Sequence, residues 1–181
     1  MTKSAGIEGT AILATDRYDL LQRMGLSKEI LESAQAFFDR ISVVKDGVTA
    51  FETGGVHAMH DPTEGGILGG IHEMADASKV GVIIFEDKIP VAEETRRICN
   101  LFSIDPLKLI SSGVMLIAAE SDAVEKILER LKDQGVPASV IGEFTGQPEK
   151  RIIVRSDGLK ETLPRPECDH LWIALSRKNS A

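Results

Sequence analysis

The stretch His60-Asp61-Pro62-Thr63-Glu64-Gly65-Gly66-Ile67-Leu68-Gly69-Gly70 decides how this chain is read. It follows the short apolar run Val56-His57-Ala58-Met59 and opens a segment with helical periodicity, Glu64–Ser78. Four glycines fall within six positions of that helix's start. Each costs about 0.8–1 kcal/mol relative to alanine in a helix interior, so together they weaken the helix by roughly 3–4 kcal/mol. Glycine belongs where a side chain would obstruct the close approach of a backbone or a ligand. Asp61 and Thr63 are good N-cap types, and the open N–H groups of a helix start attract anions. A phosphate or carboxylate site is one reading, and tight packing of the helix on a sheet is the other. The residues alone leave the two level. No Gly-Lys-Ser/Thr follows, so this is not a Walker A loop, and the paired glycines do not fit G-x-G-x-x-G.

Around this stretch the chain alternates helices and strands. Gly9–Met24 reads as a helix stopped by Gly25, and Ser27 can cap a second helix, Lys28–Ile41, with Ile30, Leu31, Ala34, Phe37, Phe38 and Ile41 at helical spacing. Val43–Thr53 is ambiguous, because Val44, Val48 and Phe51 suit a helix whereas Asp46-Gly47 could be a hairpin turn. Strands are expected at Val56–His60, Val80–Phe85 and Val114–Ala119, and a helix at Pro90–Phe102. Ser121 is placed to cap a helix carrying Val124, Ile127, Leu128 and Leu131, ending at Gly135. Val136–Phe144 and Arg151–Arg155 read as a final strand pair joined near Gly146-Gln147-Pro148, before a helical segment around His170–Ser176. Helices packed on a sheet follow from this alternation.

Composition narrows the function classes. At 181 residues the chain suits one domain. It is 43% hydrophobic, without an apolar run near the ~18 residues of a membrane span. Met1–Gly6 lacks the apolar centre of a signal peptide, and a net charge of −7 argues against a nucleic-acid partner. The reading is of a cytoplasmic protein with no membrane association. Cys99 and Cys168 suggest no disulfide framework, and Cys99 fits a small buried thiol on an amphipathic helix. His57 and His60 have His-x-x-His spacing, but strand positions three apart point to opposite faces, so no metal site is assigned.

The motif Asp61-Pro62-Thr63-Glu64-Gly65-Gly66 resembles the Asp-x-Thr-x-Gly-Gly motif of the C-terminal domain in the aminoimidazole ribonucleotide (AIR) synthase superfamily. Three further stretches match in order: Gly6–Leu13 resembles an interdomain junction, Ile104-Asp105-Pro106-Leu107 with Ser111-Ser112-Gly113 resembles an Asp-Pro-Leu segment and the loop after it, and Val140-Ile141-Gly142-Glu143 resembles a late strand. The similarity covers nearly the whole chain and lies nearest the HypE-like hydrogenase maturation branch. It implies an α/β (α+β) fold, a three-layer mixed sheet covered by helices. Residues 1–20 would be the junction and first helix, and residues 21–181 the C-terminal domain. The superfamily's N-terminal ATP-binding domain, with its paired acidic motif, is absent from this chain.

The resemblance also implies a function. Such a domain would be the substrate and phosphate side of an enzyme that uses ATP and Mg2+ to activate an amide or carbonyl oxygen by phosphoryl transfer, inactive as an isolated domain. A thiamine-monophosphate-kinase-like relative and a non-catalytic binding module are the alternatives. The binding residues implied are His60, Asp61, Thr63, Glu64, Gly65, Gly66, Ser111, Ser112 and Gly113. Gly65 and Gly66 would present free N–H groups and Thr63 a hydroxyl. Asp61 would orient the loop or a metal-bound water, and Ser111–Gly113 would form a second wall. No catalytic residue is assigned. The implied partners are the ATP-binding domain, a small-molecule or protein-thiol substrate, and a second copy in the full-length form. The branch's carbamoylated terminal cysteine has no counterpart in Arg177-Lys178-Asn179-Ser180-Ala181, and Cys168 lies too early to serve.

Overall fold

A computed structural model of the chain describes residues 1–177; the tail read above for a terminal cysteine lies, from Lys178 on, outside the described residues. The helices are α1 (Ile7–Asp16), α2 (Tyr18–Arg23), α3 (Lys28–Gln35), α4 (Val44–Thr53), α5 (Gly66–Ala77), α6 (Glu93–Phe102), α7 (Val124–Asp133) and α8 (His170–Ser176). The strands are β1 (Val56–His60), β2 (Gly81–Phe85), β3 (Leu116–Ala119), β4 (Gly142–Thr145), β5 (Arg151–Val154) and β6 (Lys160–Thr162).

The strands form two sheets under a coat of helices, the mixed α/β architecture the alternation implies. β1 pairs antiparallel with β3, Met59 opposite Ile117 and His60 opposite Leu116. The second sheet has the order β4-β2-β5-β6. β2 takes β4 antiparallel on one side and β5 parallel on the other, and β6 closes the edge against β5. The expected direct pairing of the two late strands is therefore corrected: β2 lies between them. Gly81 makes this possible. A Cβ there would stand 2.0 Å from the Gln147 carbonyl oxygen, so only glycine lets the 146–150 connection cross the end of β2. β2 carries the fully buried Val82 and Ile84, which suits a central strand. β6 escaped the sequence reading because Lys160-Glu161-Thr162 is polar and exposed throughout.

Other differences lie at element ends. The first helix breaks at Arg17, whose backbone turns (φ −118°) as its guanidinium meets the Leu175 carbonyl of α8. The second helix tightens into a 3-10 turn over Ala36–Arg40. Ser27 caps α3 as expected, accepting from the Ile30 N–H at 3.5 Å. Ser121 does not cap α7, whose first turn follows Ala123 after a bend closed by the Ala123 N–H on the Glu120 carbonyl. Val43–Thr53 resolves as helix α4 with Asp46 and Ala50 buried.

Apolar burial, the main drive for such packing, falls into three clusters. The largest joins α5 (Ile67, Leu68, Ile71) to both sheets through Leu116, Val82, Ile84 and Ile153. The second is helical, with Leu13, Leu21, Leu31, Ile98, Phe102 and Leu171 around Leu109. The third seats α4 and α7 on the β1–β3 pair through Ala50, Ile127 and Leu131.

Candidate functional site

The C-terminal end of β1 and the start of β3 meet, since His60 pairs with Leu116. The loops at that end, 61–66 and 111–115, are therefore neighbours although some fifty residues apart in sequence. This register places Asp61 beside Gly113, whose N–H donates to its carboxylate. Glu8, on the first turn of α1, approaches from a third element. Burial pushes the Asp61 carboxyl above its usual range; the Gly113 N–H opposes this, and the nearby Glu8 charge adds to it. One oxygen of each side chain, Asp61 Oδ1 and Glu8 Oε2, is shut off from solvent without a hydrogen-bond partner.

Lys3 closes the site from below. Its Nζ donates to the carbonyls of Gly113 (2.8 Å), Ser42 (2.9 Å) and Arg40 (3.2 Å) and pairs with buried Asp46 at 2.9 Å. Its charge also opposes the upward shift at Asp61. His60 is held to one side by Glu73, Nε2 to Oε2 2.6 Å. His57 faces a different carboxylate, Glu120, at 3.8 Å.

The other predicted residues divide. Ser111 is fully buried and structural: its Oγ donates to the Leu109 carbonyl at 2.7 Å and accepts the Gly6 N–H at 2.8 Å, fixing the start of α1. Ser112 is half-buried beside Gly113, and Thr63 and Glu64 are exposed on the rim. Neither Asp61 nor Thr63 caps α5 with its side chain, because the N-cap is left-handed Gly65. Glu64 precedes the helix rather than joining its first turn.

The expected free N–H groups of Gly65 and Gly66 are engaged inside the protein. Gly65 donates to Asp169 Oδ2 at 2.7 Å, and Gly66 donates to the Thr63 carbonyl at 3.1 Å. Asp169 Oδ1 also accepts from Leu171 (2.7 Å) and Ile110 (3.2 Å). The helix start thus holds an anion, but the anion is the chain's own carboxylate. Gly66 has φ +61°, and a Cβ there would lie 2.5 Å from the Leu109 carbonyl oxygen, so close packing explains that glycine. Pro164, which accepts from His72 Nε2 at 3.2 Å, and Arg165, paired with Asp76, hold the strap that delivers Asp169.

Lys3, Glu8 and Asp169 were not singled out by sequence reasoning. Glu8 sits within the junction-like stretch, and Asp169 opens α8 as an N-cap, but neither spacing discloses the long-range contact. Cys99 is buried, which pushes its thiol up to about 12 and leaves it inert, while Cys168 is exposed beside Asp169.

The family model of the AIR synthase related protein, C-terminal domain, matches residues 1–155, which hold Lys3, Glu8, Asp61 and the 111–113 loop but not Asp169. A hydrogenase expression/formation protein of Methanocaldococcus jannaschii is 38% identical over 100 residues, 54% of this chain and 30% of its own. Carbamoyl dehydratase HypE of Escherichia coli is 30% identical over 168 residues, 92% of this chain and 46% of its own. The chain thus spans less than half the length of either relative. The crystal structure of E. coli HypE superposes with a TM-score of 0.72 at 28% identity, covering 91% of this chain and 48% of that one. A hydrogenase maturation protein HypE solved in complex with ATP shares the fold, with a TM-score of 0.66 at 21% identity, over 93% of this chain and 50% of that one.

Proposed function

The chain belongs to the family of AIR synthase related C-terminal domains, and on that premise we propose that it is the substrate- and phosphate-side half of an ATP-dependent enzyme of the HypE and AIR synthase kind. The reaction proposed is activation of an amide or carbonyl oxygen by phosphoryl transfer, which turns that oxygen into a leaving group. A separate ATP-binding half completes the site. Catalysis of this type is mainly positioning and charge neutralisation.

One observation carries the reading: Glu8 and Asp61, from distant parts of the chain, lie near enough for the Glu8 charge to act on Asp61 beside Gly113, and each keeps one buried carboxylate oxygen without a hydrogen-bond partner. Carboxylate oxygens left without donors in a partly buried site fit a divalent cation. Magnesium suits such a place because it takes one or two carboxylates and keeps its remaining positions for waters and phosphate oxygens. Bound there, it would neutralise charge on the transferring phosphoryl group. The chain's own part is to hold Asp61 against Gly113, present Thr63 and Ser112 as hydroxyls on the rim, and fix the loops through Lys3.

The test is phosphate release from Mg-ATP by the chain mixed with the ATP-binding half of a relative, in the presence of a carbamoylated or amide substrate. Turnover should need both halves and should be lost in Asp61→Asn while the variant keeps its folded circular-dichroism spectrum. Undiminished turnover in Asp61→Asn, or none in any mixture that forms a complex, overturns the proposal.

A further inference from the structure

Helix α4 carries its polarity the wrong way round. It buries its carboxylate, Asp46 at 1% exposed and paired with Lys3, and turns outward Val44 (71% exposed), Val48 (50%) and Phe51 (68%). These three stand at i, i+4 and i+7, so they form one stripe along the ten-residue helix. The inward side is already satisfied: Ala50 packs with Ile127 and Leu131 of α7, and Gly47 lies beside Met115 and Met59. A contiguous apolar stripe, unlike apolar residues scattered singly, marks a contact face.

Beside the stripe lies a hollow of about 270 Å³, walled by Lys45, Val48, Thr49 and Glu52 of α4 and by Arg130 and Gln134 at the end of α7. Its four α4 residues stand at i, i+3, i+4 and i+7, the diamond on a helix surface that receives one side chain of a facing helix. Lys45 Nζ donates to the Gln134 carbonyl at 3.2 Å and ties the two walls together. Phe51, the largest side chain of the stripe, is a knob of the kind such a hole takes. Knob and hole lie within one turn of each other on the same helix. A helix carrying the same pair in reverse order would therefore fill both at once.

We propose that α4 is a self-association surface, pairing antiparallel with α4 of a second copy of this chain so that Phe51 of each enters the hollow of the other. Two observations select a second copy as the occupant. A two-fold contact needs a surface that complements itself, residue i meeting j while j meets i, and the knob beside its own hole has that property. The charges agree. Lys45 and Glu52 are exposed on one edge of the stripe, two turns apart. Antiparallel pairing brings Lys45 of each copy to Glu52 of the other, which gives two opposite-charge contacts. Flanking charges of this kind set partner choice and orientation between paired helices. One helix pair buries less than the ~1,200 Å² of a standard stable interface, so the association is reversible and concentration-dependent.

Sedimentation equilibrium of the chain, without nucleotide and at rising concentration, tests this. Monomers should exchange with dimers, and Phe51→Ser or Val48→Glu should weaken the association by at least about tenfold. Both side chains are exposed, so the variants should keep the folded circular-dichroism spectrum. Charge reversal then tests the partner and the direction together. Lys45→Glu and Glu52→Lys should each weaken self-association, because each sets like charges against one another at both contacts. An equal mixture of the two variants should associate at least about tenfold more strongly than either alone, because opposite signs return at both contacts. A chain that stays monomeric at every concentration overturns the proposal. So does association indifferent to Phe51→Ser, or a mixture no stronger than its components. Binding of the α4 face to the ATP-binding half, with no self-association, would replace the second copy by that half and overturn the proposal as well.

Discussion

The carboxylate of Asp169 gathers three backbone N–H groups, those of Gly65, Ile110 and Leu171, which have no other acceptor among the described residues. It is 4% exposed, so its loss leaves those donors buried and unpaired. Each such group costs about 1–3 kcal/mol, so Asp169→Ala should destabilise by about 3–5 kcal/mol, and Asp169→Asn by less because it keeps one acceptor oxygen. Urea unfolding measures both. A change under about 1 kcal/mol in Asp169→Ala would show that water replaces the carboxylate. Met1 makes a second prediction at this scale. Its amine falls from 8.0 to about 6 through burial. Above pH 8 the amine is neutral folded or unfolded, but between pH 8 and 6 the unfolded chain takes up the proton first. Stability should therefore fall as pH drops through that window, by about 2–3 kcal/mol once pH is below 6. His72 and His170, whose pKa values burial also lowers, act in the same direction. Comparing free and Nα-acetylated chains isolates Met1: the acetylated chain should lack this part of the slope.

Helix α4 shows what an element can and cannot disclose. Asp46-Gly47 looks like a turn, yet the segment is a helix because Asp46 and Ala50 are buried on one side and Asp46 meets Lys3. Gly47 stays helical beside Met115, whose methyl would lie 3.4 Å from an added Cβ, an ordinary contact. Gly47→Ala should then raise stability by about 0.5–1 kcal/mol through helix propensity and a less flexible unfolded chain. A lower thermal midpoint would mean that Met115 cannot move aside. The strongly periodic elements were legible for the same physical reason throughout: α3, α6 and α7 bury one apolar stripe, which spacing alone records. The order of β4, β2 and β5 was not, because it depends on Gly81 yielding to a distant connection. In the candidate site, Asp61 and the 111–113 loop were legible as a motif resemblance. Glu8, Lys3 and Asp169 were not, since each acts through a contact that only folding creates.

At the scale of the whole molecule, one side chain ties the parts together. Lys3 Nζ holds the carbonyls of Arg40 and Ser42, the Gly113 carbonyl of the site loop, and the Asp46 carboxylate of α4. The Lys3 side chain is 14% exposed and that of Asp46 2%, so this ion pair is largely withdrawn from water. Removing one member of such a pair leaves an uncompensated buried charge, and the typical cost is about 3–5 kcal/mol. Lys3→Met should carry that cost in full. Lys3→Met combined with Asp46→Leu should recover most of it, because two apolar side chains of similar volume need no partner. The carbonyls of Arg40, Ser42 and Gly113 would still lack their donor, so recovery should stop short of the starting stability. A double-mutant cycle by urea unfolding separates the pair from the carbonyl contacts. The same substitutions bear on the site, since Gly113 donates its N–H to Asp61 while its carbonyl is held by Lys3. In the reconstituted two-part enzyme, the double variant should remain folded but turn over more slowly, its 111–113 loop no longer held in place. A double variant that recovers both stability and full turnover would show that Asp61 is positioned without Lys3.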